Sequence, residues 1–239
     1  MPGTGRTTDG DSPAPPPATP PPSPPPSPQP SPSPPRRSAA QTREHVLAVA
    51  HELFYWQGIR ATGVDTLAAQ AGVAPTTLYR LFAAKDDLVA AYVERAGALY
   101  RQWFTEAAEA GGTSPRARIL AVFDALVEQT RPDRCRGCPF LMALAEIPDP
   151  QAPAHRHAVA TKAWVRDQFA AMTAALAAPG ADPTAPGADS TSDSRELADQ
   201  LVLIMEGVYA SVAALGADGP ARHARDLVRI LLDSHGARR

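Results

Sequence analysis

Cysteine is scarce in this sequence, whose 239 residues include only Cys135 and Cys138. Two cysteines cannot form the disulfide framework of a small secreted scaffold, so that class of protein is excluded. The sequence also lacks the apolar core of a secretory signal near its first residue, and no apolar run approaches the roughly 20 residues needed to cross a bilayer. We therefore expect a cytoplasmic protein with no membrane partner.

An excess of positive charge is missing too, because the formal net charge is -2. That balance disfavours a protein that coats nucleic acid without sequence preference, and it requires any DNA-binding cations to be local. The sequence contains no glycine-rich cofactor loop, no nucleophile elbow and no HExxH pattern. We therefore expect no enzyme activity, no cofactor and no bound metal.

Proline is present in excess, and more than half of the 27 prolines lie before Arg36. Residues 1–38 contain almost no apolar side chains, so they cannot bury enough surface to offset the entropy of ordering them. The composition predicts a disordered tail with polyproline II character. A solvated tail is the favoured interpretation, and a docking arm for a proline-reading partner is the alternative.

The pattern changes to helix at Gln41, where apolar residues begin to recur at three- and four-residue spacing. Strand-like alternation is absent, so the sequence predicts an all-α fold. Glycine, proline and aspartate clusters separate the helices at 111–112, 131–133, 148–150 and 179–189. The first helix ends at Gly58, and the predicted later helices span residues 64–71, 75–82, 86–110, 115–128, 139–146, 154–177, 193–215 and 220–234.

Residues 62–82 have the pattern of a helix-turn-helix, with two short helices joined at Gly72. Ala68, Ala71 and Gly72 are small enough to let the two helices approach closely, which allows the second helix to project into a major groove. We therefore predict a DNA-binding head at 39–85 and a larger helical domain at 86–239.

The stretch 41–88 resembles the TetR family of bacterial transcriptional regulators. The residues that carry the resemblance have fixed spacings, and they are Phe54, Gly58, Leu67, Ala68, Ala71, Gly72, Val73, Thr77, Leu78, Tyr79, Phe82, Lys85 and Leu88. A second stretch, from Gly137 to Leu141 and from Glu146 to Pro150, resembles one subgroup of the family's effector domains.

The resemblance implies that Thr77 and Tyr79 contact phosphates and that Lys85 touches the DNA backbone. Arg80 is the candidate for base readout, because a guanidinium can bond guanine through two hydrogen bonds, although a phosphate contact fits equally well. The full predicted DNA-contact set is Thr62, Pro75, Thr76, Thr77, Tyr79, Arg80 and Lys85.

Two positions depart from the family pattern. Ala74 stands where a capping Ser or Thr is usual, although Pro75 suits the first helical position. Leu81 stands where a His is common, which removes a possible polar contact.

The resemblance also implies a homodimer and an effector pocket. Apolar stripes on the last two helices predict the dimer interface, which consists of Leu201, Met205, Val208, Val212, Leu227, Ile230 and Leu231. The alternative is that these stripes face the protomer's own core. A small-molecule pocket is predicted among large apolar side chains of the middle helices, each of which would also suit plain core. These are Trp103, Phe123, Phe140, Met142, Trp164, Phe169 and Met172.

Cys135 and Cys138 form a CxxC pair, which supports several interpretations. One CxxC supplies two of the four ligands that a structural zinc needs, and His155 and His157 are weak candidates for the others. A redox pair is possible, since Arg134 and Arg136 would favour the thiolates. A structural role is favoured.

The sequence thus predicts a DNA-binding transcriptional regulator, expected to be a repressor that a small molecule releases from a double-stranded operator. The alternative is a thiol redox-responsive regulator, or an oxidoreductase, that uses Cys135 and Cys138.

Overall fold

The structure is a computed structural model that describes residues 37–131, 133–177, 189–216 and 218–237, together with Gly3. All regular elements in these residues are helices, which confirms the all-α prediction. They are α1 (Ala39–Gln57), α2 (Val64–Ala71), α3 (Pro75–Leu81), α4 (Lys85–Ala110), α5 (Pro115–Gln129), α6 (Pro139–Glu146), α7 (Pro153–Ala177), α8 (Asp189–Leu215), a short 3-10 helix (Pro220–His223) and α9 (Ala224–Ala237).

Capping residues explain where the first helix begins and ends. The Ser38 hydroxyl accepts a hydrogen bond from the Gln41 amide at 3.2 Å, and the Gln41 side chain accepts one from the Ser38 amide at 2.8 Å. This reciprocal pair satisfies amides that have no partner inside the helix. Gly58 ends α1 at a φ of 99°, a conformation that favours glycine.

The head consists of α1, α2 and α3, packed on the first turns of α4. Leu67 of α2, Leu78 of α3 and Phe82 are all buried. Because these anchors point into the same small core, the orientation of α3 is fixed by packing on its inner side.

The body is organised around α7, which packs along α8 and α4 and also contacts α5 and α6. An aromatic cluster fills its centre. The Phe104 ring lies 5.4 Å from Trp164 and 5.2 Å from Phe169, and Phe169 stacks on Phe123 at 5.8 Å between centroids. Edge-to-face and stacked rings at these distances stabilise a core beyond simple burial.

The predicted pocket residues lie in or beside this core. Phe123, Phe140 and Phe169 are buried, whereas Trp103, Trp164 and Met142 are half-buried. Their ring-to-ring packing accounts for their burial, so a ligand-binding role for them stays a prediction. Met172 is placed differently, because it lines a cavity between α4, α5 and α7.

The interface prediction needs correction on α8. Leu201, Met205, Val208 and Val212 are at most 6% exposed in the single protomer, so they belong mainly to its own core. The helical spacing was right, but a stripe that faces the core and one that faces a partner have the same period. The apolar side chains that α8 and α9 expose are instead Leu203, Leu215, Leu227 and Ile230, with Leu231 half-buried beside them.

One segment of α8, Ser192–Leu215, reaches the length and hydropathy of a membrane span, with a mean hydropathy of 1.4 over its apolar window. No apolar run of this length was expected from the sequence. The helix is nonetheless tied into the bundle, because Lys162 of α7 pairs with Glu206 at 2.5 Å and Arg166 pairs with Asp199 at 2.5 Å. By length and composition, a core helix of a globular protein passes the same test.

Two predicted segments fall outside the described residues: nearly all of the proline-rich tail at 1–38, including Arg36, and most of the loop at 179–189. The predicted helix 220–234 differs in detail, because its first turn is a 3-10 helix before α9 begins at Ala224. Tight turns of this kind are common at the start of an α-helix.

Candidate nucleic-acid interface

The outer face of α3 is open to solvent. Tyr79 is 54% exposed, and Pro75, Thr76 and Arg80 are exposed as well, while Thr77 is half-buried. Leu78 lies on the opposite side and is 2% exposed. The helix is therefore anchored on one face and presents hydroxyl and guanidinium groups on the other.

The turn before α3 sets its direction. Gly72 adopts a left-handed conformation with a φ of 63°, and Val73 donates its amide to the Ala68 carbonyl at 3.0 Å. Ala74 offers no side-chain cap, so α3 begins with Pro75 at its first position, where a missing amide is no loss. The departure from the family pattern at Ala74 is thus accommodated locally.

Thr62 must be removed from the predicted DNA-contact set. It is 1% exposed, and its hydroxyl donates to the Gly58 carbonyl at 2.8 Å. The residue fastens the turn after α1 and has no free group for a phosphate. Its place beside the helix-turn-helix was visible in the sequence, but its burial was not.

Lys85 lies at the start of α4 and is half-buried. Its ammonium donates to the Ile59 carbonyl at 2.8 Å. An ammonium carries three protons, so two remain for other acceptors. Lys85 therefore holds the turn after α1 against α4, and its predicted contact with DNA backbone stays a prediction.

One contact between head and body has no signal in the sequence. The Glu146 carboxylate, at the end of α6, accepts the Ile59 amide at 3.0 Å and the Arg60 amide at 2.7 Å, and Arg60 Nε donates to the Glu146 carbonyl at 3.0 Å. We call this set of bonds the Glu146 latch. Glu146 was part of the effector-domain resemblance, but nothing in its local sequence pairs it with residues 86 and 87 positions away.

A second contact binds the loop before α6 to the end of α1. One Arg136 guanidinium nitrogen donates to the carbonyls of Tyr55 at 3.0 Å and Trp56 at 2.9 Å. The Tyr55 hydroxyl donates to the Gly137 carbonyl at 3.0 Å. Burial raises the pKa of Tyr55 well above its ordinary value, so the phenol stays protonated and able to donate.

The two cysteines do not have the surroundings of reactive thiols. Both are buried and unbridged. Burial raises the pKa of Cys138, although the nearby Lys162 works in the opposite direction. Arg136 is engaged with α1, and Arg134 is 67% exposed beside Asp133, so neither provides the thiolate stabilisation that was expected. A reactive cysteine needs a lowered pKa and access to solvent; Cys138 has neither, and Cys135 is buried away from solvent.

The metal alternative also lacks support. His155, one of the candidate ligands, hydrogen-bonds through Nδ1 to the Ile147 carbonyl at 2.8 Å. Within the part of the chain that the structure describes, no three His, Cys, Asp or Glu side chains are grouped to hold an ion.

Comparison with known proteins identifies the protein family of this chain. Residues 46–92 match the family described as bacterial regulatory proteins, tetR family. A tetR-type transcriptional regulator of known structure from Streptomyces avermitilis is 31% identical, with a TM-score of 0.64, over 82% of this chain and 98% of that one. The chain belongs to the TetR family.

Other TetR-family relatives agree with this placement. A TetR-family transcriptional regulator from Streptomyces coelicolor has 29% identity and a TM-score of 0.66, over 82% of this chain and 94% of that one. The transcriptional repressor NemR of Escherichia coli K12 is 32% identical over 109 residues, which make up 45% of this chain and 55% of NemR. The match therefore spans about half the length of that curated relative.

Proposed function

We propose that this TetR-family chain is a sequence-specific DNA-binding transcriptional regulator that acts in the cytoplasm. One observation carries the proposal: α3 is anchored by Leu78 and exposes Thr76, Tyr79 and Arg80 on its free face. A major groove about 12 Å wide admits one α-helix presented in this way. We further propose that it acts as a repressor, as the related NemR does by name, and that a small molecule releases it from DNA.

The exposed residues of α3 divide by chemistry. Tyr79 has a rigid ring and one hydroxyl donor, which suits a phosphate oxygen. Arg80 has a planar fork of donors that matches the O6 and N7 atoms of guanine. Pro75 and Thr76 lie at the end of α3 that enters a groove first in helix-turn-helix proteins. Thr77 and Lys85 complete the proposed set as phosphate contacts.

A second copy of the chain is required, because one helix reads few base pairs and operators commonly present two half-sites about 34–36 Å apart. We assign the partner-facing surface to the exposed apolar side chains of α8 and α9. Leu203 is 70% exposed, Leu227 is 51% exposed and Ile230 is 54% exposed. Between the two helices lies a groove of about 420 Å³ lined mainly by apolar residues, with Gly207 at its edge. In a symmetric dimer, each copy would bury this surface against the same surface of its partner.

The test of DNA recognition uses the full chain and selection from a random duplex library. We expect enrichment of one pseudo-palindromic sequence, with an affinity at least 1,000-fold above that for unrelated DNA, which is the usual range for specific binding. R80A should lose discrimination at one base position, and Y79F should weaken binding to all sequences alike. A library that shows no enrichment would refute the proposed function.

The dimer surface is tested separately by sedimentation. L203E places a charge on the exposed face of α8, so we expect a monomer. E94Q is the control, because Glu94 is an exposed residue of α4 and should leave the dimer intact. A dimer that survives L203E would move the interface elsewhere without affecting the DNA-reading helix.

A further inference from the structure

Arg118 is a cation without a partner in the body. It lies on α5, and its Nε atom is buried with no hydrogen-bond acceptor. In the described part of the chain its guanidinium makes no hydrogen bond and no ion pair. Ten ion pairs are found in the same residues, most of them on the surface, and Arg118 takes part in none of them.

The unpaired guanidinium lines a cavity of about 210 Å³ between α4, α5 and α7. Gln168, whose side-chain amide also makes no hydrogen bond within the described residues, lines the same cavity, and Phe104 and Met172 form apolar parts of its wall. No acidic side chain lines it. The cavity therefore combines two unused donor groups, one of them charged, with an apolar surface.

These groups define the chemistry of an occupant. The buried Nε atom of Arg118 gains from an acceptor, and a carboxylate accepts from a guanidinium through two parallel hydrogen bonds. The apolar wall favours a hydrocarbon body, and an aromatic ring fits beside Phe104. A cavity of about 150 Å³ admits benzene, so about 210 Å³ leaves room for a ring and one carboxylate.

The larger cavity at the junction of head and body is a weaker candidate. It has a volume of about 580 Å³, and each of its cations already makes one hydrogen bond within the protein, Arg60 to the Glu146 carbonyl and Lys85 to the Ile59 carbonyl. Asp86, Glu146 and Asp149 also lie along it, so its charges are mixed and specify no ligand class.

We propose that the α4–α5–α7 cavity is a binding site for a small organic carboxylate, and that Arg118 holds the carboxylate group. This inference rests on the proposed function, since it names the effector class of the regulator. The route to DNA is α4, along which Phe104 and Ala108 in the cavity wall lie about 29–35 Å from Lys85 at the head. A ligand that repositions the far end of this helix repositions the head.

The binding test uses benzoate as the probe and benzamide as its neutral isostere, with the full-length protein in a calorimeter. We expect benzoate to bind at least tenfold more tightly than benzamide, because only benzoate neutralises Arg118. R118Q should remove that preference. R134Q is the matched control, because Arg134 is exposed on a loop, and it should keep the preference. Equal affinity for the two probes, or a preference that survives R118Q, would overturn the proposal.

The unliganded protein gives a second measurement. If Arg118 had a purely structural role, its loss would lower the thermal midpoint. An unpaired half-buried charge destabilises the folded state, so we expect R118Q to raise the midpoint by about 3 °C without ligand and to abolish the further rise that benzoate gives the parent protein. A lowered midpoint in R118Q would contradict the assignment.

The DNA measurement separates this inference from the proposed function. In the parent protein, saturating benzoate should change operator affinity at least fivefold, and R118Q should bind operator normally while ignoring benzoate. If the protein selects no operator, the proposed function fails while the calorimetric result still stands. If operator binding is normal but insensitive to bound benzoate, the effector role is refuted and the DNA-binding proposal remains.

Discussion

The Glu146 latch makes a quantitative prediction about how the head is held on the body. E146A removes a carboxylate that accepts two backbone amides, those of Ile59 and Arg60. The Ile59 bond is partly buried, so its loss leaves an amide that water reaches poorly, at a cost of about 1.5–3 kcal/mol for a hydrogen bond to a charged group. The Arg60 amide is exposed and can bond to water instead, so it adds little.

We therefore expect E146A to lower the free energy of unfolding by about 2–3 kcal/mol, which for a chain of this size lowers the thermal midpoint by roughly 4–12 °C. E146Q keeps one acceptor oxygen but turns an NH2 group toward the second amide. It should lose about half as much free energy of unfolding as E146A.

Urea unfolding followed by circular dichroism measures the loss, with E94A as the control. Glu94 is an exposed carboxylate on α4 that makes no ion pair among the described residues, so its removal should change stability by less than about 0.5 kcal/mol. Operator affinity is measured on the same samples, and it should fall in E146A because the turn between α1 and α2 loses its support. The reasoning is refuted if E146A and E94A unfold at the same urea concentration.

Three further predictions concern single residues. G58A should cost about 1–2 kcal/mol of unfolding free energy, because φ is 99° there and a methyl group would lie 3.4 Å from a Glu146 oxygen; a neutral result would remove the strain argument. Burial lowers the pKa of His51, so the folded protein resists its protonation, and stability should fall as the pH drops below the ordinary value of about 6.5, by at most about 1.4 kcal/mol per pH unit. H51Q should show a flatter dependence between pH 7.5 and 5.5. In C135S, the remaining Cys138 thiol should react with Ellman's reagent at pH 8 at least 100-fold more slowly in the folded protein than in urea. The reason is that burial raises the pKa of this thiol and blocks access to it. Rapid reaction in the folded state would revive the redox hypothesis.

Local sequence signals predicted most of the helix boundaries. Gly58, Gly72 and the prolines at 75, 115 and 139 mark ends or first turns that the structure reproduces. Each of these signals acts within one turn of backbone, since it depends on a residue's own dihedral angles or on its missing amide. That is why they can be interpreted without knowing what packs nearby.

The candidate site could be predicted only in part, because periodicity identifies a helix face but not what covers it. Leu78 and Tyr79 are neighbours on α3, and their division into anchor and exposed group agrees with the family pattern. On α8 the same reasoning misplaced the interface, since the stripe through Leu201 and Met205 is core. The DNA contact predicted for Thr62 needed correction for a related reason, because its hydroxyl donates to the carbonyl of Gly58, four residues earlier in the chain.

The hydrogen bonds that join head and body link residues that are distant in sequence. The Arg136 contact lies just before α6 and the Glu146 latch lies at its last residue, and both hold the segment from the end of α1 to the turn that follows it. A short helix fixed to the head at both ends cannot shift without moving the head, and α6 also packs on α7 and α4 in the body. A shift of α6 within the body would therefore strain these bonds or displace the end of α1 and the turn that follows it, which couples body and head.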